Sequence, residues 1–359
     1  MFLVLSCDEE TTQPTPTPVV VTPAPFGEPY DKLSDWNFFA DPLSQTPAED
    51  LVPYDVIAPL FSDYTTKFRF LYVPPSTAID YAAEDIWDFP EGAVLVKTFS
   101  HPADAREPLL NLTIVETRVL VHEPEGWVAH TYLWNEAQTD AERIVSGSFV
   151  PVSFISPSGE TIETEYRVPN TNECKNCHKV DDDVVPLGPR TRQLDRAYEY
   201  ASGTDNQIDH LIALGLLSGS VPPAGDRETL VDPSDDAQDI FLRVRSYFDA
   251  NCASCHRTGG EASTSALLLD FASTIPNDSP DSNWGIYKTP TSAGGANCGN
   301  EFDVVPGRSD LSIMICRMTS TDAEKRMPPL GSRVVHEEGL ALLTEWIDGL
   351  PAGDCTPQP

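Results

Sequence analysis

Residues 112–134 read LTIVETRVLVH-EPEG-WVAHTYLW. Apolar and polar residues alternate through Leu112–His122, and β-branched side chains dominate. Glu123-Pro124-Glu125-Gly126 is turn chemistry, and Trp127–Trp134 alternates again. That is the pattern of an antiparallel hairpin.

Working outward, Ala93–Phe99 (AVLVKTF) is expected to be a further strand. VPVSFIS, the turn Pro157-Ser158-Gly159-Glu160 and TIETEYRV are expected to form a second hairpin. Proline and glycine punctuate the stretch from about residue 27 to 168, which implies a β-sandwich-like domain.

Beyond it the periodicity changes. Asp205–Leu217 (DNQIDHLIALGLL) is expected to be a short helix with Ile208, Leu211, Ile212 and Leu216 on its apolar stripe, weakened near its end by Gly215. Ile240, Phe241, Val244, Tyr247 and Phe248 form the stripe of another helix, with Ser234 or Asp232 as its expected cap. Leu340, Leu343, Trp346, Ile347 and Leu350 form a terminal one. The expected division is 1–26 signal remnant and tether, 27–168 β-rich domain, 169–225 first cysteine segment, and 226–353 a mainly α domain like a small cytochrome c.

The chain carries 56 acidic against 23 basic residues, a formal charge of −33. Such a chain is repelled by nucleic acid and by anionic membrane surfaces. It suits a cationic protein partner or a saline medium. At the start, Val4-Leu5-Ser6-Cys7 resembles the end of a lipoprotein signal, and a Thr/Pro-rich stretch follows as an extended tether. A lipid at Cys7 would hold the body at a membrane in the periplasm or cell envelope. A cleaved ordinary signal is the alternative.

Four of the eight cysteines lie in two short runs, Cys174-Lys175-Asn176-Cys177-His178 and Cys252-Ala253-Ser254-Cys255-His256. Two thiols three positions apart can add to the two vinyl groups of a haem, and the adjacent histidine then reaches the iron. Cys174, Cys177, Cys252 and Cys255 are therefore expected to bind two covalent haem c groups, with His178 and His256 as axial ligands. A zinc site or a thioredoxin-like redox pair is the minor alternative. Met327, in Arg326-Met327-Pro328-Pro329, lies about 70 residues after His256 and is the expected second ligand of the second haem, with Met314 and Met318 weaker choices. The first run has no methionine before Met314, which leaves a histidine (His210, or His101, His122 or His130 from the β-rich domain), another nitrogen, a residue from elsewhere, or an open iron. Arg190, Arg192 and Arg308 are candidate partners of the propionates. Of Cys298, Cys316 and Cys355, the first two are the preferred disulfide pair.

The chain resembles a family of largely uncharacterised bacterial di-haem c-type cytochromes with a β-rich N-terminal domain. The residues that carry this are PYDVIAPLFSDYTTKFRFLYVPP (53–75), GAVLVKTFS (92–100), ETRVLVHEPEGWVAHTYLWNEAQTDA (116–141), VPNTNECKNCH (168–178), LGPRTRQL (187–194), ANCASCH (250–256), DVVPGRSDLSIMICRMTS (303–320) and RMPPLGSRVVHEEGLALLTEWI (326–347). The first cysteine segment is also similar to cytochrome modules attached to bacterial sugar dehydrogenases. The resemblance implies haem binding and electron transfer between redox partners outside the cytoplasm, with no settled substrate. His101, His130 and His210 stand outside the family pattern. So do Cys298, Cys316 and Cys355, in keeping with a local disulfide. Two other activities stay open: a peroxidase-like oxidoreductase with an open first haem, and the electron-accepting subunit of a periplasmic dehydrogenase.

Overall fold

The computed structural model describes residues 17–180, 183–274, 282–290 and 298–351. Cys7 and Cys355 lie outside the described residues. The ordered body begins before residue 27: Glu49 donates to Val19 O, Val21 to Asp50, and Thr22 to Trp36 O.

Six strands form one antiparallel sheet in simple sequential order: β1 (Leu51–Tyr54), β2 (Thr66–Tyr72), β3 (Val94–Pro102), β4 (Leu112–Glu123), β5 (Gly126–Trp134) and β6 (Ala141–Ile144). Glu123 pairs with Gly126, so the β4–β5 turn is tight, and Gly126 sits at φ +113°, where a side chain would be strained. A separate hairpin pairs β7 (Ser148–Ile155) with β8 (Thr161–Val168).

Both faces of the sheet are buried, and for that reason its strands carry apolar residues on both sides of the pleat. Phe70, Tyr72, Val96, Val119, Val121 and Tyr132 pack on one face under Trp36 and Phe38. Leu71, Val73 and Leu95 pack on the other, under Trp87, Leu194, Ile208 and Leu211. The second group brings in the segment that follows the first Cys-x-x-Cys-His run, through α2 (Thr191–Leu194) and α3 (Gln207–Ala213), which come after α1 (Thr171–His178).

The expected fold class needs correction at both ends. The N-terminal half is one six-stranded sheet with small two-stranded ones, not two stacked sheets. The C-terminal part is not a mainly α cytochrome c-like domain. The described residues are 28% strand and 19% helix, with six short helices among them. Residues 226–353 contain α4 (Ile240–Asn251), α5 (Ile313–Met318) and α6 (Glu337–Gly349), joined among the described residues by turns and short 3-10 segments. The Gly-, Ser- and Pro-rich sequence after His256 offers no helical period to extend. Cys298 and Cys316 are disulfide-bonded, with Cα atoms 6.0 Å apart, and tie α5 to this loop.

Two local details also differ from the sequence reading. Asp239 caps α4, accepting from Phe241 N and Leu242 N at 2.9 and 3.4 Å. Helix α3 stops at Ala213, Gly215 takes φ +73°, and Ile212 is exposed. The C-terminal core gathers Val244, Phe248, Trp284, Leu343, Trp346 and Ile347 between α4 and α6. The helices approach closely where Gly339 meets Tyr247, since a Cβ there would overlap the Tyr247 hydroxyl. Among the described residues, no helix is long and apolar enough to cross a membrane.

Candidate functional site

The two Cys-x-x-Cys-His runs, whose facing ends His178 and Cys252 are 74 positions apart, meet in space. Cys174, Cys177, His178, Cys252, Cys255 and His256 all line one cavity of about 490 Å³. That volume falls within the roughly 300–1,000 Å³ of small-molecule and cofactor pockets. The Cys177 thiol donates to Cys255 Sγ, which raises the pKa of Cys177 and lowers that of Cys255.

The first run sits on α1, which packs against β5. Its start is held by a capping box: Asn170 accepts from Glu173 N at 2.9 Å, and Glu173 accepts from Asn170 N at 2.8 Å. Arg167 also pairs with Glu173 at 2.8 Å. The second run continues from the C-terminus of α4, where Cys252 N donates to Phe248 O and His256 N to Cys252 O. A Cβ at Gly260 would overlap Cys255 O, so the turn after the run needs glycine there.

Each histidine is oriented the same way. His178 Nδ1 lies 2.9 Å from Val185 O, and His256 Nδ1 lies 3.3 Å from Leu267 O. A carbonyl can only accept, so Nδ1 carries the proton and Nε2 keeps its lone pair. Among the described residues neither Nε2 has a hydrogen-bond partner. Burial lowers the pKa of His178 to about 4 and also lowers that of His256. Both rings are thus neutral near pH 7. Burial likewise raises Cys174, and Cys252 to about 12.

Basic side chains outnumber acidic ones in the cavity wall, against the balance of the chain. Among the described residues eight Lys and Arg line it: Arg69, Lys97, Arg118, Arg167, Arg190, Arg257, Lys288 and Arg317. Among the described residues five acidic ones do: Glu173, Asp249, Glu261, Asp270 and Asp303. A local surplus of cations in a chain of charge −33 fits an anionic occupant, as the carboxylates of haem would be. Arg190 lines the cavity, and among the described residues its Nε has no hydrogen-bond partner. Arg192 is taken up by Asp249, and Arg308 is exposed and paired with Asp310 at 2.7 Å.

Met327 lies in the cavity wall beside Pro328, Pro329 and Leu330, with its backbone N donating to Arg317 O at 3.1 Å. Met314 and Met318 border the cavity too, but they pack on the C-terminal core. The histidines considered for the first run are placed elsewhere. His210 stacks on Tyr200 at 3.6 Å and lies 3.7 Å from Asp205. His122 stacks on Trp127 at 4.8 Å. His101 packs on Phe154 at 4.8 Å. His130 borders the cavity along its strand, but it pairs with Val119, whose side chain belongs to the opposite face.

The cations on the sheet were not found by sequence reasoning. Tyr54, Arg69, Lys97, Arg118 and Thr131 are successive partners in register across β1 to β5, and all five line the cavity. A signal existed in each strand: Lys97 and Arg118 interrupt the apolar runs AVLV-K-TF and R-VLV. Arg118 forks onto the fully buried Glu116 at 2.5 and 2.9 Å, and Tyr166 donates to the same carboxylate at 2.7 Å. Arg69 pairs with Asp55 at 2.8 Å. Burial, then Arg69, Lys67 and Arg118, hold the Lys97 pKa well below its usual value.

The donor set matches covalent haem: two thiols and one oriented imidazole, twice over, around an apolar and cationic cavity. Among the described residues no group of three or more His, Cys, Asp and Glu side chains forms a cage for a bare metal ion. Compared with known proteins, the chain matches no family model, no curated protein and no solved structure.

Proposed function

We propose that this chain is a di-haem c-type cytochrome that passes electrons between redox partners outside the cytoplasm. The convergence of both Cys-x-x-Cys-His runs on one cavity is the observation that carries the reading. The resemblance to di-haem c-type cytochromes supports it. Haem bound at each run supplies reversible one-electron chemistry at iron.

The chain's own residues supply the rest. Cys174 and Cys177, and Cys252 and Cys255, offer the thiols for attachment. Val185 O and Leu267 O hold His178 and His256 with Nε2 unprotonated, so each can ligate without first losing a proton. Met327 offers the thioether that raises a reduction potential at the second site. The Cys177–Cys255 contact keeps the two attachment points adjacent, which favours exchange of electrons within the chain. Arg190 and Arg257 line the cavity, their Nε atoms have no hydrogen-bond partner among the described residues, and they suit carboxylates. The acidic exterior suits a cationic donor or acceptor. A lipid on Cys7 would place the exchange at a membrane of the periplasm or cell envelope.

Coulometric titration of the purified chain tests this. The expected result is uptake of two electrons per chain in two one-electron steps. Absence of any reversible step would overturn the reading. So would a high-spin iron at either run that turns over peroxide, in favour of an oxidoreductase.

A further inference from the structure

The first run lacks a second axial ligand in the sequence, and the structure narrows the choice. His101, His122, His130 and His210 are directed elsewhere. Met314 and Met318 pack on the C-terminal core, and Met327, which lines the cavity from the loop held to Arg317 O, is the thioether assigned to the second run. What remains beside the first run is the face of the sheet.

On that face Lys97 differs from its neighbours. It stands in register between Arg69 and Arg118. Each arginine has a carboxylate, Asp55 and Glu116. Among the described residues Lys97 forms no salt bridge and no hydrogen bond; its Nζ stands over the Phe99 ring at 5.0 Å, and the acid acting on it, Glu116, is already forked onto Arg118. An ammonium between two guanidiniums, with its one nearby carboxylate shared with Arg118, is costly in a half-buried site. Lys97 lines the same cavity as Cys174, Cys177 and His178. Lys97 is also near enough to His178 to act on it electrostatically.

We propose that the Lys97 amine is the second axial ligand of the haem iron held by His178. This rests on the reading of the first run as a haem site. The Nζ lone pair forms the bond, the displaced proton leaves to solvent, and no electron is transferred in the step.

The competing role for Lys97 is an ion pair with a propionate, and two substitutions separate the roles. Lys97→Arg keeps the charge but cannot ligate, because a guanidinium stays protonated. Lys97→His can ligate. The experiment records electron paramagnetic resonance and carbon monoxide binding on the full chain, with pyridine haemochrome counts on the same samples. In the parent, both irons are expected to be low-spin. In Lys97→Arg one of the two haems becomes high-spin and binds carbon monoxide. In Lys97→His that haem is low-spin again, with altered g-values. Low-spin iron unchanged in Lys97→Arg overturns the proposal and favours the propionate pair. A parent with one haem already high-spin overturns it as well. A parent with fewer than two haems overturns the underlying reading, and the proposal with it.

Discussion

Asp249→Ala should be among the most damaging single changes outside the cysteine runs. Arg192, on α2, and Asp249, on α4, form a forked pair at 3.1 and 3.2 Å, and their side chains are only 6% and 4% exposed. The pair joins the segment after the first run to the helix that leads into the second. Asp249 also accepts from Phe271 N at 3.3 Å. Removing the carboxylate leaves Arg192 buried with Glu84 O and the face of Phe271 as its partners. Breaking a buried pair in this way costs about 3–5 kcal/mol. That is roughly two to four orders of magnitude in the unfolding equilibrium. The double change Arg192→Met with Asp249→Leu removes both charges and keeps the volume, and it should recover most of the loss. Equilibrium denaturation of the three variants, followed by fluorescence and by Soret absorbance, measures the cycle. A loss under about 1 kcal/mol for Asp249→Ala, or a double variant no better than the single, would refute the reasoning.

Three further outcomes are expected. Replacing Cys298 and Cys316 together by serine should cost about 3 kcal/mol for a loop of this length, and in reducing buffer the parent should lose the same amount. Met327→Ala should lower the second haem's potential and change its spectrum, whereas Met314→Leu and Met318→Leu should not; voltammetry of the three variants checks this. His336 concerns pH. It stacks on Phe61 at 4.1 Å, and its Nδ1 lies 3.1 Å from the Tyr247 hydroxyl. Burial, then Lys67, lower its pKa to about 4 from 6.5. Above that ordinary value the ring is neutral whether folded or unfolded. As pH falls from there towards 4, the unfolded chain takes up a proton that the folded chain refuses. Stability therefore falls across that window, by on the order of 3 kcal/mol from this residue. His336→Phe should remove that share of the slope in denaturation curves measured across the window.

The hairpin at 112–134 was legible because a period of two and a tight turn are both local properties. Whether successive hairpins stack or extend one sheet is not local. Period two reads the same in either case, and so the sandwich expectation failed. The C-terminal helices α4 and α6 were legible from their stripes, but the long loops between them carry no period, and the domain was expected to be more helical than it is. Helix α1 was missed, although Asn170-x-x-Glu173 is a capping signature in plain view. In the site, the covalent chemistry of each run is written in consecutive residues. The meeting of the runs, and the row from Tyr54 to Thr131, depend on strand register between segments far apart in the chain. No single stretch encodes them.

The central claim is that each Cys-x-x-Cys-His run carries a haem. The most direct measurement is the pyridine haemochrome content per chain, with intact mass, of protein exported in a host that attaches haem to cysteine. The account predicts two haems, both resistant to acid-acetone extraction, falling to one in Cys174→Ser/Cys177→Ser and in Cys252→Ser/Cys255→Ser. One haem or none in the parent, or haem that extracts freely, would contradict it.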